Sequence, residues 1–109
     1  MSVKEEFQNL CEKVKANPEH IEGMECVYQF DVSGEDEGTY VIELSNGDIT
    51  YKEGEVEDPS CTIQLSSKNL IKLMHGKLNA TTAFMMGKLK VKGNISLAMK
   101  LEATLKKYQ

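Results

Sequence analysis

Four segments of alternating apolar and polar residues constrain the fold of this chain more than any other feature. A period of two is typical of strands that bury one face and expose the other. Asn46-Gly47, between the second and third segments, is a dipeptide that strongly favours a two-residue hairpin turn. The segments therefore predict four strands, and their inward positions are Met24, Cys26, Tyr28, Phe30, Val32, Tyr40, Ile42, Leu44, Ile49, Tyr51, Cys61, Ile63 and Leu65.

Helical spacing flanks these strands on both sides. Ser2 and Glu5 form a capping box for a first helix, which ends before Pro18. The later segments predict, in chain order, a helix from Ser66 or Ser67 to Gly76, a short helix from Asn79 to Gly87, a fifth strand over residues 88–92 and a last helix from Asn94. Because the strands have one polar face, we expect an α+β fold, a five-stranded, mostly antiparallel sheet whose helices cover one face.

The size and composition of the chain predict one globular domain over residues 1–109. Hydrophobic residues make up 40% and charged residues 28% of the sequence, and no apolar run approaches the roughly 18 residues that span a bilayer. Acidic residues interrupt the first ten positions, where a secretory signal would be apolar. Cys11, Cys26 and Cys61 are odd in number and widely separated, which favours free thiols in a reducing compartment. We expect a cytoplasmic location.

Charge is divided sharply along the chain. Residues 19–58 hold thirteen acids against Lys52, whereas residues 66–109 hold nine lysines against Glu102. The asymmetry favours a negatively charged partner for the basic half, such as lipid headgroups, coenzyme A phosphates or nucleic acid. The alternative is that the two halves attract each other and that the remaining lysines are a solvated surface. The absence of arginine and the scarcity of aromatic residues argue against nucleic acid.

The most unusual stretch is residues 79–101, within the basic half. Phe84, Met85 and Met86 follow one another without a polar break, which exceeds what one face of a short helix can hide. In the last helix, Ile95 and Met99 point away from the main apolar stripe of Leu97, Ala98, Leu101, Leu105 and Tyr108. The stretch therefore carries more apolar surface than a simple core requires.

Residues 59–101 resemble the sterol carrier protein 2, or nonspecific lipid-transfer, family. In this family the corresponding region contains a helix ending in GKLN, a segment AFM-GKLK and a closing helix with LAMKL. In this chain these motifs are residues 76–79, residues 83–90 and the segment from Asn94 onward. The order of elements extends the resemblance over essentially the whole chain. It implies a sheet and helices that enclose an apolar tunnel for fatty acids, acyl-coenzyme A thioesters or sterols, with the C-terminal helix near its entrance.

Two positions depart from the family pattern. Ala80 stands where the family usually has proline, which predicts a looser start for the short helix. The chain ends in KKYQ rather than in a peroxisomal tripeptide. We therefore expect no peroxisomal targeting.

The resemblance and the apolar stretch together predict residues that contact lipid. The candidates for the tunnel wall are Phe84, Met85, Met86, Leu89, Met99 and Leu101. The candidates for contact with headgroups or an anionic membrane surface are Lys88, Lys90, Lys92 and Lys100. Methionine suits such a wall because its unbranched side chain adapts to varied apolar ligands. The alternative for each apolar candidate is ordinary core packing.

No catalytic or metal-binding pattern accompanies these residues in the sequence. His20 and His75 stand alone, as a loop residue and a helix-end residue, and no nucleophile lies in a recognisable motif. We expect no enzyme activity, no cofactor and no metal. The leading hypothesis is intracellular lipid binding and transfer; the alternatives are a non-catalytic docking domain for an acyl-processing enzyme and, less favoured, a basic nucleic-acid binder.

Overall fold

Residues 2–109, which a computed structural model describes, form the predicted succession of helices and strands. The elements are α1 (Val3–Ala16), a 3₁₀ helix (Pro18–Ile21), β1 (Cys26–Ser33), β2 (Gly38–Ser45), β3 (Asp48–Glu53), β4 (Cys61–Ser66), α2 (Ser67–Met74), α3 (Ala80–Met85), β5 (Leu89–Gly93) and α4 (Ile95–Lys106). Met24 precedes β1 rather than opening it, and His20 lies in the 3₁₀ helix rather than in a loop. Within residues 2–109 no helix is both long and apolar enough to cross a bilayer.

The five strands form one mixed sheet in the order β3-β2-β1-β4-β5. Three of the strand pairings are antiparallel and the pairing of β1 with β4 is parallel, so the prediction of a mostly antiparallel sheet is confirmed. Asn46 and Gly47 turn the β2–β3 hairpin with φ values of 54° and 73°, as a turn with two left-handed residues requires. Since β4 pairs on the far side of β1, β5 becomes an edge strand.

Side-chain caps set the predicted starts of the α-helices. The side-chain oxygens of Ser2, Ser66, Asn79 and Asn94 accept hydrogen bonds of 2.9 to 3.2 Å from backbone N–H groups in the first turn. These bonds satisfy donors that have no partner within the helix. Of the two serines considered for α2, Ser66 provides the cap.

The helices cover the face of the sheet that carries the predicted inward positions. From α1, Phe7 packs against Phe30 and Tyr51, and in α4 the backbone oxygen of Leu97 accepts a 2.8 Å hydrogen bond from Tyr28 Oη. The opposite face carries polar side chains, of which Glu43, Lys52 and Lys90 are exposed. The predicted α+β arrangement with helices on one side is confirmed.

Three tyrosines of the inward face differ in how their hydroxyl groups are satisfied. Tyr28 Oη donates to the Leu97 carbonyl at 2.8 Å, and Tyr40 Oη donates to the Asp36 carbonyl at 2.7 Å. The Tyr51 hydroxyl is buried and has no hydrogen-bond partner within residues 2–109. Burial raises the pKa of Tyr51 to about 12, so this group is a neutral, desolvated hydroxyl at physiological pH.

We expect Tyr51→Phe to leave the free energy of unfolding unchanged or to raise it by up to about 1 kcal/mol, because it removes an unsatisfied polar group. Tyr40→Phe is the matched control and should lower it by about 1 kcal/mol, because the Asp36 carbonyl loses its donor. Urea unfolding measures both changes. A loss for Tyr51→Phe as large as that for Tyr40→Phe would contradict the assignment.

Candidate functional site

A small void lies at the centre of the molecule, between α1, α4 and the strands β2 and β3. Its volume is about 10 Å³, which is room for about one water molecule. The lining residues are Leu10, Val14, Ile21, Ile42, Leu44, Ile49, Leu101, Thr104, Leu105 and Tyr108.

The two polar groups among these lining residues are satisfied by backbone carbonyls. Thr104 Oγ1 donates to Lys100 O at 2.8 Å, and Tyr108 Oη donates to Asn17 O at 2.7 Å. The side chains around the void therefore turn their apolar groups toward it.

Three of the six apolar candidates from the sequence lie in the core or against it. Leu101 lines the void, and Leu89 is buried on β5 opposite Leu65 of β4. Met99 is half-buried on α4, and its sulfur accepts a 3.2 Å hydrogen bond from the Thr81 hydroxyl of α3. Leu89 and Leu101 are packed in the core, which is the alternative that the sequence left open for them.

The other three apolar candidates lie on the surface. Phe84 and Met85 occupy the end of α3 and Met86 is its C-cap, and all three are exposed. The helix buries Ala80 and Ala83 instead. These three side chains do not line the central void, and their contact with lipid stays a prediction.

The four lysine candidates are all exposed, and within residues 2–109 none of them forms an ion pair. Lys88 and Lys90 line one side of an open surface groove that also contains Asp31 and Glu37. The lysines therefore remain free for an external partner. Their contact with headgroups stays a prediction.

The sequence reading missed most of the residues around the void. It placed the tunnel wall in the C-terminal third, whereas the void is also lined by Leu10 of α1 and by Ile42, Leu44 and Ile49 of β2 and β3. The alternation of residues did identify these strand positions as inward. Which inward side chains border empty space depends on how closely α1 and α4 approach each other, and the pattern carries no information about that distance.

A second, polar cavity of about 230 Å³ lies between α1, the end of α2 and the end of the described chain. Glu6, only 6% exposed, accepts from His75 Nε2 with both carboxylate oxygens, at 3.0 and 2.9 Å. His75 is also the C-cap of α2, as predicted, and its backbone N–H donates to the Ile71 and Leu73 carbonyls. The pair ties α1 to α2, and its cavity adjoins the apolar void, because Leu10 and Tyr108 line both.

The fold and its centre define a class of domain in which α-helices on one side of a mixed sheet close over an apolar interior. The sequence matches the SCP-2 sterol transfer family over residues 7–106. The chain belongs to this family.

One curated relative and one solved structure are similar to this chain. Hydroxysteroid dehydrogenase-like protein 2 of Bos taurus is 45% identical over 85 residues, which are 75% of this chain and 20% of that protein. The chain thus spans about a fifth of that curated relative. The sterol carrier protein domain 2 of Helicoverpa armigera is 31% identical, with a TM-score of 0.74 over 94% of this chain and 84% of that chain.

A third neighbour shares the fold at lower identity. The sterol carrier protein 2 of Aedes aegypti, whose structure was solved in complex with palmitate, has a TM-score of 0.71 and 21% identity over 96% of each chain. At this level of sequence identity, the similarity shows a shared fold.

The three cysteines are free, and burial controls their reactivity. Burial raises the pKa of the Cys61 thiol to about 11, so at pH 8 only about one thiol in a thousand is the reactive thiolate. Burial also raises the pKa of Cys26 and of Cys11, and nearby Lys15 partly opposes the rise at Cys11. Only Cys11 is more than slightly exposed.

We expect iodoacetamide at pH 8 to modify Cys11 first and slowly, and to leave Cys26 and Cys61 unmodified in the folded protein. The rate at Cys11 should rise with pH, because its thiolate forms only above its raised pKa. Mass spectrometry after quenching measures the modification, and urea-unfolded protein is the control in which all three react. Rapid labelling of Cys61 in the folded protein would contradict this.

Alanine variants of two α4 residues test which candidates contact lipid. Leu101→Ala should lower the free energy of unfolding by about 2–5 kcal/mol, because it empties an enclosed site. Met99→Ala removes a half-exposed side chain and should cost about 1 kcal/mol or less. Fatty-acid titration of the same samples should show the clearer loss of affinity for Met99→Ala. A large stability loss with unchanged affinity would make Met99 a core residue only.

Proposed function

We propose that this chain binds lipids in the apolar space between the sheet, α1 and α4, and carries them through the cytoplasm between membranes. The ligands of this proposal are fatty acids, acyl-coenzyme A thioesters or sterol-like molecules. The observation that carries it is the central void, because its lining side chains turn apolar groups inward. Membership of the SCP-2 sterol transfer family supports it, as does the palmitate complex of the Aedes aegypti protein.

Lipid binding requires the void to enlarge, because pockets for small molecules have volumes of about 300–1,000 Å³. The segments that can move at least cost are α3 and the first half of α4. Their fully buried side chains are the small residues Ala80, Ala83 and Ala98, and Leu97 and Met99 are partly buried, whereas the second half of α4 fully buries Leu101 and Leu105. Since apolar burial sets the cost of displacement, we propose that these segments swing outward to admit the acyl chain.

A second candidate function is that of an accessory domain for an acyl-processing enzyme. The observation that favours it is the relative hydroxysteroid dehydrogenase-like protein 2, of which this chain spans only about a fifth. In that role the domain would hold or present a lipid for a catalytic partner. In either role we propose that this chain itself catalyses no reaction, and co-purification of an enzyme distinguishes the second role from the first.

Fatty acids of increasing length test the proposed cavity. Each buried CH₂ contributes about 0.8 kcal/mol before ordering costs, so the dissociation constant should fall at least about tenfold for every four added carbons until the cavity is full. Calorimetric titration of delipidated protein, below the critical micelle concentration, measures this series. The negative heat-capacity change of apolar burial is a second readout. Equal affinity for eight-carbon and sixteen-carbon acids would contradict the proposal.

A further inference from the structure

The large apolar side chains that are exposed within residues 2–109 lie together where α3 ends and α4 begins. Met85 is 80% exposed, Met86 62%, Ile95 46% and Phe84 38%. We call these four residues the apolar collar. Single exposed apolar side chains are common on protein surfaces. Four within twelve positions of sequence form a patch, which needs an explanation.

The two parts of the apolar collar are adjacent in space. The helices α3 and α4 touch where the Thr81 hydroxyl donates to the Met99 sulfur at 3.2 Å. Phe84 and Met85 lie about one turn after Thr81 on α3. Ile95 lies one turn before Met99 on α4. Phe84, Met85 and Ile95 are therefore within about 6 Å, along their helix axes, of a common contact.

The orientation of α3 is the reverse of that of an ordinary surface helix. Such helices turn large apolar residues to the core and polar residues to solvent. In α3 the small residues Ala80 and Ala83 are buried, while Phe84 and Met85 point to solvent. The stability of the fold does not account for this arrangement, because it leaves apolar surface in water. The exposed side of α3 is suited to a contact outside the chain.

Three lysines lie close to the apolar collar in the chain, and Lys90 is on the face of the sheet opposite the helices. Lys88 follows the α3 part of the collar, and Lys90 and Lys92 lie on the edge strand β5 between α3 and α4. Residues 79–101 contain four lysines and no acidic residue, in a chain whose net charge is -4. Asp31 and Glu37 line the same groove as Lys88 and Lys90 and reduce the positive potential there. The positive surface is therefore the edge formed by β5 and the apolar collar.

We propose that the apolar collar, together with Lys88, Lys90 and Lys92, docks this protein on anionic lipid bilayers. The collar side chains enter the boundary between headgroups and acyl chains, and the lysines stay at the level of the phosphates. This combination of apolar and cationic side chains is what an interfacial membrane contact requires. The docking surface extends the proposed function, because a lipid carrier must meet the membranes that it serves.

Two other arrangements fit the observations less well. A second copy of this chain on the apolar collar would bring two sets of lysines together, and like charges across an interface disfavour association. The helix α1 is a poor membrane contact, because Val3, Phe7, Leu10 and Val14 are buried and its lysines are balanced by acids. The charge pattern therefore favours a bilayer, and it places the contact on α3, β5 and α4.

A tryptophan probe tests insertion directly, because the chain contains no tryptophan. We expect the emission of Met85→Trp to shift to the blue with vesicles of phosphatidylcholine and phosphatidylserine, and to be quenched by brominated acyl chains. Thr50→Trp is the matched control, because Thr50 is exposed on β3 at the opposite edge of the sheet. Its emission should not change. An unchanged emission of Met85→Trp, or equal shifts for both variants, would overturn the proposal.

Charge variants test the role of the lysines. Replacing Lys88, Lys90 and Lys92 by glutamine should lower the partition coefficient for the anionic vesicles at least about tenfold, and salt should lower that of the wild type. The matched control replaces the exposed lysines Lys13, Lys52 and Lys107, which carry the same charge far from the collar. The control should change the coefficient by less than about twofold. Equal losses in both triple variants, or equal binding of the wild type to pure phosphatidylcholine, would overturn the proposal.

A collar variant separates docking from lipid carriage. Ile95→Gln changes an exposed collar side chain that is not among the candidates for the tunnel wall. We expect normal folding, about fivefold weaker vesicle binding and unchanged fatty-acid affinity in solution. If the wild type binds fatty acid but no vesicles, docking is overturned and the proposed function stands. If it binds vesicles as expected but no fatty acid, the proposed function fails and docking stands. If Ile95→Gln converts a dimer to a monomer in sedimentation velocity and leaves vesicle binding unchanged, the collar joins copies of this chain and docking is overturned.

Discussion

The packing of α1 on the sheet is the constraint on which the rest of the structure depends. The Phe7 ring is fully buried, and its centroid lies 5.2 Å from that of Phe30, 5.5 Å from that of Tyr40 and 5.2 Å from that of Tyr51. These three rings belong to β1, β2 and β3, so one side chain of α1 contacts the whole meander. Because α1 is fixed in this way, it forms one wall of the central void, and α4 forms the facing wall over the same strands.

The C-terminal third combines a firmly held part with a loosely held part. The second half of α4 fully buries Leu101 and Leu105. In α3 and the first half of α4 the fully buried side chains are alanines, Leu97 and Met99 are partly buried, and Phe84, Met85 and Ile95 are exposed. The loosely held part is the one that we propose moves to admit a lipid, and it also carries the apolar collar. If the apolar collar inserts into a bilayer, the bilayer also removes from water the apolar surface that an outward movement of α3 and the first half of α4 would expose. Docking and opening would then favour each other through the same helices.

Among the described residues, the ion pairs of the fold do not connect the acidic and basic segments of the chain. The ion pairs Lys4–Glu53 and Lys15–Asp48 join α1 to β3 and are largely exposed, so each contributes at most about 1 kcal/mol. Within residues 2–109, no ion pair joins the acidic segment, residues 19–58, to the basic segment, residues 66–109. Direct pairing of the two segments therefore does not explain why the chain separates its charges.

The sequence alone determined the order of elements, the helix caps, the hairpin at Asn46-Gly47, the inward face of each strand and the family, because each of these follows from residues that are close together in the chain. It did not determine which way α3 faces. That helix is six residues long, and its two polar residues, Thr81 and Thr82, leave open whether Phe84 and Met85 or the alanines face the core. Its orientation depends on how much room β5 and α4 leave, and the small side chains Ala80 and Ala83 allow the close approach. The void was equally beyond the sequence, because Leu10, Ile42 and Leu101 meet only after folding, and the distance between α1 and α4 decides whether space remains between them.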